Sequence, residues 1–167
     1  MVTVDDVRRL REQTGAGVMD AKRALDEAGG NFDKAKGILR EKGIASAAKR
    51  SDRETGQGVV ESYIHGQGRI GALVELQCET DFVARTDTFR ALARDIAMQV
   101  AAMNPLALTA EEVPADAVGD PKSNALLSQS FIKDSGRTIE QLILDVIAQT
   151  GENIRVARYS RFELGQS

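Results

Sequence analysis

The stretch Glu75-Leu76-Gln77-Cys78-Glu79-Thr80-Asp81-Phe82-Val83-Ala84-Arg85 (ELQCETDFVAR, 75–85) decides how the chain is read. It completes a run that begins at Ile70, in which Ala72, Val74, Leu76 and Cys78 share one face and Leu73, Glu75, Gln77 and Glu79 share the other. Alternation of period two predicts a strand with one face packed and the other partly wet. The pattern stops at Thr80-Asp81 and puts a phenylalanine at the lip of the turn. Such a ring is either sealed in its own core or held out for another molecule, and alternation alone leaves both open.

Working outward, Val59 to His65 is a second β-rich run, and Gly66-Gln67-Gly68 between the two is a hairpin signal. Beyond the corner, Phe89, Leu92, Ala93, Ile96, Val100 and Met103 recur at helical spacing and predict a helix over Asp87 to Met103, ended by Asn104-Pro105. Leu106 to Leu108 reads as a short strand, Thr109 to Val118 as a weak helical turn broken by Pro114, 119–124 as loop, and Ala125 to Ile132 as partly helical. Thr138 caps a helix carrying Ile139, Leu142, Ile143, Val146 and Ile147 and closed by Gly151, and Asn153 to Leu164 reads as a last strand. The expected architecture is an antiparallel sheet of about three strands covered by helices on one side, an α+β domain.

The N-terminal part differs in kind. Thr3 with Asp6 reads as a capping motif before a helix over Val4 to Gln13, interrupted by Thr14-Gly15-Ala16-Gly17. A second helix runs from Val18 to Ala28, Gly29-Gly30 ends it, and Asn31 caps a third, Phe32 to Lys42, stopped by Gly43. Residues 1–45 thus form a three-helix, UBA-like unit, too small to be more than marginally stable alone. Residues 46–58 read as a linker and 59–167 as the α+β core domain. Val18 and Met19 are adjacent apolar residues just after a glycine turn, and one helix face cannot bury both. Either one is core and the other incidentally exposed, or together they form a docking edge.

Composition narrows the function classes. The 167 residues are 42% apolar, enough for a core, but only 4% aromatic with no Trp. The formal charge of −3 argues against whole-chain electrostatic binding to nucleic acid. One Cys and one His exclude an internal disulfide and leave too few ligands for the usual metal sites, and no GxxxxGK[ST] phosphate loop occurs. The absence of a signal peptide or long apolar run points to the cytoplasm and away from membranes. No cofactor is expected.

Several constellations could in principle carry chemistry. Cys78 and His65 would make a thiolate–imidazole pair, but Cys78 lies in register with Val74 and Leu76 and reads as core. Glu75, Glu79 and Asp81 are spread over a strand face and a corner rather than gathered round a cation. Arg155, Arg158 and Arg161 fall on both faces of a strand and read as a solvated edge. From Asn31 to Arg53 seven Lys/Arg stand against three Asp/Glu, and this basic stretch carries the rival functional reading, an RNA-associated or scaffold module. No catalytic set emerges. The chain reads as a binding protein, not an enzyme.

Three stretches resemble the bacterial and organellar translation elongation factor Ts family. Leu10 to Leu25 (LREQTGAGVMDAKRAL) is similar to its N-terminal signature, the opening stretch to its ExxxETDFVAR form, and Phe131-Ile132-Lys133-Asp134, Thr138-Ile139, Gly151 to Val156 and Arg161 to Gly165 to its C-terminal motifs. The resemblance spans nearly the whole chain in the family's order. It implies a guanine-nucleotide exchange factor that binds elongation factor Tu in its GDP form and promotes GDP release. Residue by residue it implies that Thr80, Asp81, Phe82 and Val83 form a corner entering the GTPase near its switch and magnesium region. It also implies that Arg11, Val18 and Met19 contact the same GTPase domain from another side, which favours the docking edge. The chain departs from longer members in having room for one copy of the core subdomain, and a brief 111–124 stretch where many members carry a long helical insertion. Self-association into a homodimer is the expected substitute for the missing copy.

Overall fold

The computed structural model describes residues 1–166. Two compact units emerge, one of Met1–Arg53 with Leu144–Asn153, the other of Glu54–Ile143 with the segment from Ile154 onward.

The first unit is built on α1 (Val4–Thr14), α2 (Val18–Glu27) and α3 (Phe32–Arg50). The capping box forms as expected: the Asp6 amide donates to Thr3 Oγ1 at 3.1 Å and the Thr3 amide to Asp6 Oδ2 at 2.9 Å. These bonds hold the Asp6 carboxyl below its ordinary range. Asn31 Oδ1 accepts from the Lys34 amide and starts α3. Leu10, Ala21, Ala24, Leu25, Ala28 and Ala35 make the core, with Val7, Phe32, Ile38 and Leu39 packed against it. The alanines let the helices approach closely, and the Arg9 guanidinium sits 4.8 Å above the Phe32 ring.

The helix expected to stop at Gly43 runs on to Arg50, through residues read as linker. Gly43 costs a helix only about 1 kcal/mol, and the Ile44-Ala45-Ser46-Ala47-Ala48-Lys49-Arg50 that follows is rich in helix formers. Ala47 is buried, which anchors the extension. Residues 51–56 connect α3 to the next strand, and Asn153 Nδ2 ties this exit down by donating to the Ser51 and Arg53 carbonyls.

The second unit contains β1 (Gln57–His65), β2 (Ile70–Cys78), α4 (Asp81–Ala84), α5 (Asp87–Met103), α6 (Pro121–Asn124), β3 (Ser130–Phe131) and β4 (Asp134–Thr138). It also takes the start of α7 (Ile139–Thr150), and β5 (Arg155–Glu163). β1, β2 and β5 form an antiparallel sheet in the order β1-β2-β5, so the 75–85 stretch supplies the end of the central strand. As alternation predicted, Ala72, Val74, Leu76 and Cys78 are buried, and α5 packs across β1 and β2 with Phe89, Ala93, Ile96, Ala97 and Val100 inaccessible. Met103, at the end of the helical stripe, is exposed instead. The α+β fold class is therefore as expected.

Smaller elements differ from expectation. Leu106 to Leu108 is not a strand; a single parallel bridge joins Ala107 to Ala125. Within the expected loop, Asp120 caps the one-turn α6, whose first residue is Pro121. Ala125 to Ile132 is helical in part, as read, in the 3₁₀ turn Leu126–Ser128, but the β3–β4 hairpin that follows was not expected. The cause is tertiary. The buried Gln99 amide of α5 donates to the Ser130 carbonyl at 3.0 Å and accepts from the Ile132 amide at 3.0 Å, which pins the segment extended.

The pairing of β2 with β5 shifts between Glu75 and Leu76, so Ala157 is an extra residue. The three arginines lie on both faces of the strand, as read, and the bulge decides which goes where. Arg155 and Arg158 come to one face, opposite Gln77 and Glu75, while Arg161 lies opposite Ala72 on the inner face. There its Nε donates to the Ala101 carbonyl and its Nη2 meets Glu163 at 2.9 Å, so it is not a solvated edge residue. At the far end of the hairpin Gly58 has a φ of 149°, and a Cβ there would run into the Leu76 carbonyl oxygen. Gly58→Ala is expected to destabilise the second unit by about 1–3 kcal/mol from backbone strain alone, measurable as a lowered midpoint in chemical denaturation.

Candidate functional site

The corner after β2 is braced on several sides. Thr80 Oγ1 accepts from the Val83 amide at 3.3 Å and caps α4, while Cys78 Sγ donates to the Thr80 carbonyl at 3.1 Å. Asp81, the first residue of α4, pairs with Arg85 one turn on, Oδ2 to Nη2 at 3.2 Å. At the exit the Thr86 hydroxyl donates to the Val83 carbonyl at 2.7 Å and accepts from the Phe89 amide at 3.3 Å as the cap of α5. A single helical turn does not persist by its own hydrogen bonds; here the flanking side chains and the burial of Val83 and Ala84 supply what is missing.

These constraints answer the question posed by the opening stretch. With Val83 and Ala84 turned inward, Phe82 between Asp81 and Val83 is turned out, and its ring is 81% exposed. Of the four corner residues singled out by sequence, Phe82 stands in solvent, Asp81 is half-exposed and paired with Arg85, Thr80 caps the turn, and Val83, 9% exposed, faces its own core as the footing. Sequence reading missed Thr86 and the Asp81–Arg85 pair. A threonine immediately before the predicted start of α5 was the available signal for the former, and the i, i+4 spacing of opposite charges for the latter.

In the helical unit, Arg11, Val18 and Met19 flank the Thr14–Gly17 turn. The turn is set by the Thr14 hydroxyl, which donates to the Leu10 carbonyl at 2.7 Å and accepts from the Ala16 amide, and by Gly15 at a φ of 69°. A Cβ at Gly15 would meet the Gln149 side chain, which would have to shift to admit it. Arg11 Nε donates to the Ala16 carbonyl across the turn. Val18 and Met19 are both exposed, at 52% and 59%, so neither is core.

The other constellations disperse. His65 and Cys78 sit at opposite ends of the β1–β2 hairpin, since Cys78 is in register with Gln57. Eight residues of strand, about 27 Å at some 3.4 Å each, separate them. His65 stacks on Tyr63, whose hydroxyl lies 3.2 Å from Nδ1. Glu75 is engaged by Arg158 at 2.6 Å and by Gln77, and these bonds hold its carboxyl below the ordinary range. No group of three or more His, Cys, Asp or Glu among the described residues is placed to hold a metal ion, and no helix is long and apolar enough to cross a membrane.

The outer face of the sheet is divided. One half is the polar array of Arg158, Glu75, Gln77, Arg155 and Thr55. The other half is apolar, with Ile64, Leu73, Phe162 and Leu164 exposed around an open groove of about 590 Å³. Gly71 lies in register between Ile64 and Phe162 and forms its floor.

An α+β core with a bare aromatic ring on a braced turn, and a helical unit with an exposed apolar edge, define a class: proteins with apolar surface open to another macromolecule. Comparison with known proteins narrows it. The profile of the family described as Elongation factor TS matches residues 39–123. The chain is 47% identical to elongation factor Ts of Carboxydothermus hydrogenoformans, over 99% of this chain and 90% of that protein. Identity is likewise 47% to the Desulforamulus reducens factor, at the same coverage, and 44% to that of Caldanaerobacter subterraneus, over 99% of this chain and 98% of the other. The chain belongs to the elongation factor Ts family of translation factors. The alignment with the Carboxydothermus factor spans 196 positions against the 167 residues of this chain, so that relative carries additional residues within the aligned span.

Because the Phe82 ring makes little contact with its own domain, Phe82→Ala is expected to change unfolding free energy by no more than about 0.5 kcal/mol. Val83→Ala, on the inward side of the same turn, is expected to cost about 1.5 kcal/mol. Paired thermal or denaturant unfolding curves check both.

Proposed function

We propose that this chain is a guanine-nucleotide exchange factor, which binds elongation factor Tu in its GDP form and accelerates GDP release. The observation that carries this reading is the exposed Phe82 ring on a turn whose other residues are fixed. A nucleotide site holds Mg²⁺ and phosphates through many closely placed oxygens and amide N–H groups. A stiff ring pressed between such elements displaces several of them together. Asp81 adds a negative charge beside the ring, which competes for hydrogen bonds or disturbs the water around the metal. Arg11, Val18 and Met19 supply a separate docking surface, whose binding energy holds the factor on its partner. Linkage requires reciprocity: whatever weakens GDP on the complex weakens the factor equally on the GDP-bound GTPase. No covalent step is involved and no cofactor is called for, and the site of action is the cytoplasm, where translation runs.

The rival reading through RNA finds less support. On a helix of 3.6 residues per turn, Lys34, Lys42 and Lys49 fall on one side of α3 and Lys36 and Arg40 on the opposite side, so they make no single stripe. Arg155 and Arg158 are engaged within their own sheet and Arg161 by the Ala101 carbonyl of α5.

The test is stopped-flow release of a fluorescent GDP from the cognate GTPase. Wild-type chain is expected to accelerate release strongly. Phe82→Ala is expected to lose roughly tenfold to a hundredfold of that acceleration, the equivalent of about 1.5–3 kcal/mol for the buried ring. Equal activity in the variant refutes the wedge.

A homodimer is a second proposal, favoured by the apolar half of the outer sheet face around Leu73 and Phe162. Light scattering after size exclusion is expected to report about twice the 18.0 kDa chain mass, and Phe162→Asp is expected to return it to one chain. A single-chain mass for wild type at all concentrations removes the proposal.

A further inference from the structure

We propose that Thr86 is the positioning residue of the exchange site, its hydroxyl transmitting the rigidity of the α5 core helix to the turn that carries Phe82. This deepens the reading given above and rests on it.

A ring that works as a lever needs a footing that does not yield, and α4 is four residues long. Its entry is attached to the sheet, where Cys78 donates to the Thr80 carbonyl. At the exit, one oxygen does two things. Thr86 Oγ1 donates to the Val83 carbonyl, the residue directly after Phe82, at 2.7 Å, and accepts from the Phe89 amide at 3.3 Å. Phe89 is fully inaccessible beneath the sheet. One side-chain path from the exposed ring to the buried one therefore runs through Val83, the Thr86 hydroxyl and the first turn of α5. The Thr86 backbone amide also reaches the Val83 carbonyl, at 3.1 Å, so without the hydroxyl the turn keeps its shape but loses its side-chain tie to α5. Thr86 is itself exposed, which makes its replacement tolerable to the core.

The consequence separates binding from turnover. Docking rests largely on other surfaces, Arg11, Val18 and Met19 among them, while the wedge acts when the nucleotide site is being opened. An interaction needed chiefly in the transition state lowers the maximal rate when it is lost and leaves half-saturation little changed. Valine keeps the shape of threonine without the hydroxyl; serine keeps the hydroxyl and drops the methyl.

The experiment compares wild type, Thr86→Val and Thr86→Ser in catalysed release of fluorescent GDP from the cognate GTPase over a range of factor concentrations. Amide hydrogen exchange on the free proteins is measured in parallel. Thr86→Val is expected to lower the plateau rate about tenfold, the order of effect of losing a helix-capping hydroxyl, with the half-saturating concentration within about twofold. Thr86→Ser is expected to stay within about twofold of wild type in both. In the free Thr86→Val protein the Ala84 and Arg85 amides are expected to exchange about tenfold faster, and those of Val74 and Leu76 at the wild-type rate. An unchanged plateau, a serine variant as poor as valine, or equal acceleration of exchange in the β2 core overturns the proposal. If wild type fails to accelerate GDP release, the exchange-factor reading falls. The Ala84 and Arg85 amides then decide the coupling by themselves, and their exchange at the wild-type rate in Thr86→Val rejects it.

Discussion

The burial of one face of β2 beneath α5 is the constraint on which the second unit depends. Ala72, Val74, Leu76 and Cys78 leave almost no surface to solvent, and the facing residues of α5, Phe89, Ala93, Ile96 and Val100, are equally closed. Because side chains on a strand alternate, fixing this face fixes the other, and slipping the register by one residue would bring Glu75 and Gln77 into the core. The same constraint sets the corner. Cys78 is the last buried residue of the strand, and its thiol reaches forward to the Thr80 carbonyl. The chain must turn there to enter α5, and it does so with Val83 and Ala84 inward. Phe82 has no inward option left.

What was legible in the sequence follows from how local the cause was. β2 and α5 fall at their expected bounds because the periods of their apolar residues match what burial demands. Thr3, Asn31 and Thr138 were legible as caps because a cap and its amide partner lie within three residues of each other. The continuation of α3 past Gly43 was not, because one glycine signals a stop whether or not good helix formers follow it. The β3–β4 hairpin was hidden because its cause, Gln99, lies some thirty residues away in sequence. The bulge at Ala157 was hidden for a similar reason: a bulge belongs to a pair of strands, and only pairing places Arg155 and Arg158 on one face.

At the candidate site, the alternation around Cys78 raised the question of Phe82 without answering it. The family resemblance supplied an expectation, and the inward turn of Val83 and Ala84 supplies a physical reason why the ring is out. Val18 and Met19 show the same division. Adjacency on a helix said that both could not be core, and their exposure shows that neither is. The role of Thr86 lay beyond a reading of either element alone, since its hydroxyl belongs to the end of one helix and the start of the next.

The Gln99 clamp carries an implication for the order of events as the chain folds. Ser130–Phe131 is too short a strand to form with β4 in isolation, and a side chain in the middle of α5 adds bonds on both sides of it. A nascent chain that has released residues 130–138 but has not yet seated α5 on the sheet has no template for that hairpin. On this reasoning the hairpin is expected to form after α5 is seated, and its loss to speed unfolding more than it slows folding.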